Sequence, residues 1–183
     1  APIKKKNTET VEEREGIDQA HLVFAVHAPL PSSKEFHALQ ILDAYLANGM
    51  SSKLFLEIRE KRGLAYSVNS SINAEKNYSY YTIYAGTTKE ALSEVKKLIL
   101  QGFKDIKKMK EKDLDEAKTR MIGLRKVTSE ESMNTMSALM FAELNGDAKR
   151  YYDYEKEIRA VKLSQVKKLA KMKKYSTAVI LPK

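Results

Sequence analysis

Apolar and other residues alternate along the segment from His21 to His27, which places Leu22, Phe24 and Val26 on one face. A period of two is typical of a half-buried β-strand. Residues 64–74 and 78–86 predict two further strands joined by a hairpin through Glu75-Lys76-Asn77, and residues 177–181 predict a last strand. Residues 1–16 have no apolar period, and they are either a linker or a loosely attached first strand.

In the rest of the chain, apolar residues recur every three or four positions, and this spacing predicts helices. The first begins after Ser32-Ser33 and ends at Asn48-Gly49, where Gly and Asn tolerate positive φ. The other predicted helices are a short one after Ser51-Ser52, a long one from Thr87-Thr88, and a run over residues 112–173 in four segments, with breaks near Thr128-Ser129, Asn145-Gly146 and Leu163-Ser164.

This order of elements predicts an α+β fold. A hairpin beside segregated helices favours a two-layer sandwich, with helices covering one face of a mainly antiparallel sheet. No internal linker divides residues 17–183, which we interpret as one domain. Met133, Met136 and Met140 share a helical face in the four-segment run, and they are expected to fill the core.

Composition excludes several kinds of chemistry. The 183 residues contain no Cys, which rules out disulfides, thiolate zinc sites, iron–sulfur clusters and a Cys nucleophile. Neither H-x-x-E-H nor H-E-x-x-H occurs. His21 and His27 share a strand face, but six residues of strand separate them by about 20 Å, which is too far to share a zinc ion. We therefore expect His21, His27 and His37 to be structural or surface residues, and no metal to be bound by this chain.

Charge and hydropathy bear on partners and location. The chain has 33 Lys and Arg against 24 Asp and Glu, a net charge of +9. The lysine-rich stretches fall on predicted helices rather than around the tyrosines, so no nucleic-acid partner is expected. No apolar run approaches the roughly 20 residues that cross a bilayer, and the first residues, from Ala1, show no signal-peptide pattern. We expect a cytoplasmic protein with no membrane partner.

One stretch carries a specific motif. Residues 48–68 read N-G-M-S-S-K-L-F-L-E-I-R-E-K-R-G-L-A-Y-S-V. This resembles the signature of the C-terminal domain of pitrilysin/insulinase-type zinc peptidases, the group that includes mitochondrial processing peptidase. The family pattern is approximately G-G-x-S-S-R-L-F followed, after a short gap, by L-R-E-K-x-G-L-A-Y-S-V. Asn48, Lys53 and Ile58 depart from it, and none removes a chemically required group.

The resemblance implies a division of labour between two homologous halves that enclose a chamber. An N-terminal domain carries H-x-x-E-H and a further zinc-binding Glu, and the C-terminal domain binds no metal. The expected cofactor is thus Zn²⁺ in the complete enzyme only. The expected partners are a peptide substrate and the N-terminal zinc-binding domain or subunit, with a homo-oligomer also possible. The alternative is a non-catalytic structural or partner subunit with the same fold.

The resemblance also implies roles for two residues. In the family, the C-terminal domain supplies an Arg and a Tyr seven positions apart that reach the substrate, and Arg59 and Tyr66 match that spacing. A tyrosine hydroxyl can donate a hydrogen bond to a carbonyl oxygen that gains negative charge during hydrolysis. An arginine offers a planar, permanently charged fork to backbone carbonyls. Arg59 and Tyr66 are therefore candidate substrate-binding residues, and Tyr66 is the candidate catalytic residue.

Strand alternation gives a different interpretation of Tyr66. It places Tyr66 on the same face as Leu64, Val68 and Ile72, which favours a core tyrosine. Arg59 falls on the flank of the helical face formed by apolar neighbours, so its head can leave the core. A weaker signal is the polar face formed by Tyr78, Tyr80, Thr82 and Tyr84. It fits either a chamber wall or an ordinary half-buried sheet surface.

Overall fold

A single five-stranded sheet runs through the computed structural model, which describes residues 6–171 and 174–183. The strands are β1 (Thr8–Arg14), β2 (Ala20–His27), β3 (Ala65–Ala74), β4 (Ser79–Thr87) and β5 (Ser176–Pro182). Their order across the sheet is β1-β5-β2-β4-β3. Neighbouring strands are antiparallel except β1 and β5, which are parallel. The prediction of a mainly antiparallel sheet is confirmed.

Helices pack on one face of this sheet, which confirms the α+β prediction. They are α1 (Phe36–Leu46), α2 (Leu92–Asp105), α3 (Glu111–Thr128), α4 (Ser132–Leu144), α5 (Arg150–Ala160) and α6 (Leu163–Leu169). The predicted short helix after Ser51-Ser52 is a π-helical turn, Phe55–Glu60, and a 3-10 turn follows α2 at Ile106–Lys108. The predicted helical run ended near Lys173, and residues 172 and 173 lie outside the described residues. None of the described helices is long and apolar enough to cross a membrane.

The core lies between the sheet and the helices. On β2, Leu22 and Phe24 are buried, while His21, Val23 and Ala25 on the opposite face are only partly buried. The helical side is closed by apolar residues of α1 and α2, among them Leu39, Leu42, Ile41, Val95, Ile99 and Phe103. The apolar residues that alternate along the strands therefore pack against the apolar residues at helical spacing in one core layer, as the sequence indicated.

The sequence allowed two interpretations of residues 1–16, a linker or a loosely attached first strand. Residues 8–14 form β1 at the edge of the sheet, paired with β5, and each of them is exposed. A strand covered on neither face needs no alternation of apolar residues, so its sequence carries no periodic signal. Residues 1–5 lie outside the described residues.

The methionine stripe on α4 is not part of the core, so that prediction was wrong. Met133, Met136 and Met140 are each more than half exposed, and no residue of α4 is buried. Helical spacing shows that the three side chains share a face, but it does not show that another element covers that face. Among the described residues, α4 makes its main helix contact with α5 and leaves the methionines in solvent.

Candidate functional site

The motif begins in the loop that leaves α1. Gly49 adopts φ 83°, a left-handed conformation that favours glycine and turns the chain. The carbonyl of Asp43 accepts hydrogen bonds from the backbone N–H groups of Ala47 (3.0 Å) and Asn48 (2.9 Å). The Asn48 side chain also donates to the Asp43 carboxylate at 2.9 Å. Asn48, a departure from the family pattern, therefore fixes the start of the loop.

Asp43 is the centre of a buried polar cluster beneath the motif. It is a buried carboxylate on α1, and it accepts hydrogen bonds from Asn48 and from the Ser70 hydroxyl on β3. Burial, and then the Asp43 charge, raise the pKa of the neighbouring Tyr81 well above its ordinary value. The carboxylate thus connects the motif loop to the sheet.

Arg120 extends this support from α3. Its guanidinium donates to the Ser51 hydroxyl at 2.6 Å, so the motif's first serine is held by a helix 69 residues away in sequence. Burial lowers the pKa of Arg120, and the charge of Asp43 opposes that change. Ser51 therefore has a structural role here, and the neighbouring Ser52 is buried.

Removal of the buried carboxylate is expected to destabilise the fold. Asp43→Ala leaves the Ser70 hydroxyl and the Asn48 amide without their acceptor, and it removes the charge that faces Arg120. We expect the free energy of unfolding to fall by about 3 kcal/mol in denaturant titrations. Asp115→Ala, on the exposed side of α3, is the matched control and is expected to change it by less than about 0.5 kcal/mol. Equal stability of the two variants would contradict the role given to Asp43.

Arg59 lies in the π-helical turn Phe55–Glu60. The Lys61 N–H donates to the carbonyl of Leu56, five residues earlier, at 2.9 Å. Short π-helical insertions occur frequently at functional sites. The guanidinium of Arg59 lies over the Phe55 ring, 5.0 Å from its centroid, and its side chain is 49% exposed. Its nearest carboxylate contact among the described residues is Glu60, at 4.0 Å, so the charged head is available to a ligand.

Glu57 organises the other cations of the turn. Its carboxylate accepts hydrogen bonds from Lys61 and from Arg62, the latter at 2.6 Å. These two partners lower the pKa of Glu57, the Lys61 hydrogen bond contributing most. Lys61 and Arg62 are therefore engaged with Glu57, whereas Arg59 is not.

Tyr66 lies at a β-bulge, and the residue is 66% exposed. Ala65 pairs with Thr87 and Ser67 pairs with Gly86, so Tyr66 is the extra residue between two paired positions. The bulge breaks the alternation that placed Tyr66 on the face of Val68 and Ile72. The interpretation as a core tyrosine was therefore wrong, because alternation holds only where the register is regular.

A tight turn separates the two candidate residues. Gly63, at φ 61°, donates its N–H to the carbonyl of Arg59 at 3.0 Å, and Leu64 donates to that of Ile58 at 2.9 Å. Arg59 and Tyr66 thus flank one turn, with exposed side chains that form no hydrogen bond with each other among the described residues. β-Bulges, like π-helical turns, are common next to active sites. Two backbone irregularities therefore present the two groups to solvent.

The open face of the sheet carries a second polar group that sequence reasoning did not assemble. A hydrogen bond of 2.8 Å joins His21 Nδ1 to the Tyr84 hydroxyl. Gly86 makes room for it, because a Cβ there would lie 3.1 Å from that hydroxyl. His21 and Tyr84 are 63 positions apart in the sequence, and the pairing of β2 with β4 brings them together. At the start of β4, Tyr80 is exposed and stacks on Tyr78, the exposed residue that immediately precedes the strand.

The three histidines do not converge. His21 and His27 lie near opposite ends of β2, and His37 on α1 forms a hydrogen bond with the Glu157 side chain on α5. In the part of the chain that the structure describes, no group of three or more His, Cys, Asp or Glu side chains could hold a metal ion. The described residues, taken together, therefore do not fit a zinc site.

Comparisons with known proteins identify relatives of the chain. The family described as "Peptidase M16 inactive domain" matches residues 1–121. A Bacillus subtilis protein named "Uncharacterized zinc protease YmxG" is 30% identical over 182 residues, which is 96% of this chain and 44% of the relative. The chain therefore spans less than half the length of that relative.

Solved structures show the same fold. A protease from Helicobacter pylori superposes with a TM-score of 0.86 at 20% identity, covering 99% of this chain and 45% of that one. A structure described as a peptidase M16 inactive domain from Pseudomonas fluorescens gives a TM-score of 0.81 at 22% identity, covering 100% of this chain and 46% of that one. The resemblance drawn from residues 48–68 is confirmed.

Proposed function

The chain belongs to the family of peptidase M16 inactive domains, and from this premise we propose that it is the zinc-free, substrate-binding half of a zinc metalloendopeptidase. The observation that carries this proposal is the exposure of Tyr66 at the β-bulge, beside the π-helical turn that presents Arg59. A tyrosine kept only for packing would lie on the core face of β3.

Tyr66 acts on the reacting carbonyl in this proposal. During hydrolysis of a peptide bond, negative charge develops on the carbonyl oxygen, and a hydrogen-bond donor aimed at that oxygen stabilises the transition state. The Tyr66 hydroxyl has no hydrogen-bond partner among the described residues and the residue is exposed, so its proton is available to such an acceptor. The bulge fixes the backbone from which the phenol projects.

Arg59 holds the peptide rather than the reacting atom. Its guanidinium offers five donors in a fixed fork, which suits the carbonyl oxygens of an extended chain. The Phe55 ring stacks against one face of the guanidinium, and this contact leaves the N–H donors of Arg59 free to bind a ligand. Arg59 therefore contributes to binding of the substrate before the chemical step as well as during it.

The zinc belongs to a second half in this proposal. The relative from Bacillus subtilis is named a zinc protease and is more than twice as long as the matched region. We place the zinc ligands in that remaining half, either in the same polypeptide or in a partner subunit. The open face of the sheet, with its exposed Tyr78 and Tyr80, is the surface that a partner would cover.

Reconstitution tests this proposal. We expect the 183-residue chain alone to cleave no quenched-fluorescent peptide and to hold no stoichiometric zinc in elemental analysis. Mixed with the zinc-binding half, encoded upstream in the same reading frame or in the neighbouring one, it is expected to bind that half in sedimentation experiments and to restore cleavage.

Two outcomes would count against the proposal. The first is cleavage by the zinc-binding half alone at the rate of the mixture, because this chain would then contribute nothing to catalysis. The second is an upstream half without H-x-x-E-H whose mixture with this chain stays inactive. That result would support the alternative, a non-catalytic structural subunit.

A further inference from the structure

A cleft of about 490 Å³ lies between the N-terminal end of α1 and helices α3, α4 and α5. It exists because α4 has no buried residue and stands away from the core, so the space behind it is not filled by side chains. Cavities of 300–1,000 Å³ are typical of sites for small ligands. The cleft lies at the opposite end of α1 from the motif loop, and it is separate from Arg59 and Tyr66.

The walls of the cleft are largely aromatic. Phe36 on α1 and Phe141 on α4 lie on one side, with ring centroids 6.4 Å apart. Tyr151 and Tyr154 on α5 form another wall. Burial raises the pKa of Tyr154 to about 12, so its phenol stays neutral at physiological pH. These rings offer an apolar surface to the body of a ligand.

Two arginines give the cleft a positive charge. Arg125 lies over both tyrosine rings, 4.4 Å from the centroid of Tyr151 and 5.1 Å from that of Tyr154. Arg150 donates to the carbonyl of Pro31 at 3.2 Å. Within residues 6–171 and 174–183, neither guanidinium forms an ion pair with a carboxylate.

The acid in the cleft is already engaged. The Glu157 side chain forms a hydrogen bond with His37, whose other ring nitrogen lies 2.8 Å from the side-chain oxygen of Gln40. Guanidinium groups bind carboxylates with paired, charge-assisted hydrogen bonds. An anion would therefore supply Arg125 and Arg150 with the partner that the chain itself does not provide.

We propose that this cleft binds a small ligand that joins an aromatic or aliphatic body to a carboxylate. The body lies against Phe36, Phe141 and the tyrosines, and the carboxylate lies between the guanidinium groups of Arg125 and Arg150. Such a ligand is either a free organic acid or the C-terminal residue of a peptide, because the two share this chemistry. The inference goes beyond the proposed function and does not depend on it.

Calorimetric titration of the full 183-residue chain tests the proposal. The probes are phenylbutyrate and acetyl-Ala-Ala-Phe with a free C-terminus, each compared with its neutral amide. At least one carboxylate is expected to bind at least about tenfold more tightly than its amide, because the amide cannot replace the charged acceptor. The carboxylate that binds identifies the source of the ligand.

Variants locate the binding in the cleft. Arg125→Gln and Arg150→Gln are each expected to abolish the preference for the carboxylate. Arg159→Gln, an exposed arginine of α5 paired with Glu155, is the matched control and is expected to retain it. Ala138→Trp places a large side chain in the cleft from α4 and is expected to abolish binding. Because no residue of α4 is buried, this variant is expected to fold, and it tests the proposal even if an arginine variant does not fold.

Three results would overturn the proposal. They are equal affinity for carboxylate and amide, no binding of either carboxylate, and unchanged binding in Ala138→Trp. In each case the cleft would not be a carboxylate site, whatever the outcome for the proposed peptidase role.

Discussion

Replacement of Tyr66 by Phe is expected to lower kcat for peptide cleavage about 10²–10³-fold in the reconstituted enzyme. The substitution removes one hydroxyl and keeps the ring. Because the side chain is exposed at the bulge and its hydroxyl has no partner among the described residues, folding stability and zinc content are expected to stay the same. The loss falls mainly on kcat, since the hydrogen bond to the carbonyl oxygen strengthens only as charge develops there.

The matched control is Tyr152→Phe, an equally simple loss of a hydroxyl from an exposed tyrosine on α5. It is expected to leave kcat and KM unchanged. Steady-state kinetics with zinc occupancy confirmed for each variant are the measurement. Full activity of Tyr66→Phe under those conditions would show that the hydroxyl does not contact the reacting oxygen.

Replacement of Arg59 by Ala is expected to raise KM and to lower kcat/KM by about 10- to 100-fold. This residue binds the peptide in the ground state, so its loss weakens substrate binding as well as the chemical step. Arg59→Lys is expected to restore only part of the loss, because one ammonium group cannot reproduce the planar fork of donors. The separation between a KM effect at Arg59 and a kcat effect at Tyr66 tests the two roles independently.

The control for Arg59 is Arg159→Ala, which removes an exposed arginine from α5, far along the chain from the motif. It is expected to have the parent kinetics. If Arg59→Ala and Arg159→Ala behave alike, Arg59 is a surface residue without a role in peptide binding. If Arg59→Lys has the same KM and kcat/KM as the parent enzyme, the positive charge alone is sufficient and the planar fork of donors is not required.

The sequence by itself determined most of the elements and the family. Leu22, Phe24 and Val26 alternate along β2, and the hairpin between β3 and β4 is marked by polar turn residues. Gly49 lies at the predicted turn after α1, with the positive φ that the Asn-Gly pair indicated. These features are local, because alternation, helical spacing and turn residues act over a few positions. The motif over residues 48–68 was enough to identify the family.

Only the tertiary structure decided how these elements meet. The exposure of Tyr66 depends on a bulge in the pairing of β3 with β4, and the strand character of residues 8–14 depends on β5, which lies 168 positions away. The solvent position of Met133, Met136 and Met140 depends on the absence of a covering element, among the described residues, over that face of α4. Periodicity shows which side chains share a face, whereas burial depends on contacts between segments that are distant in sequence.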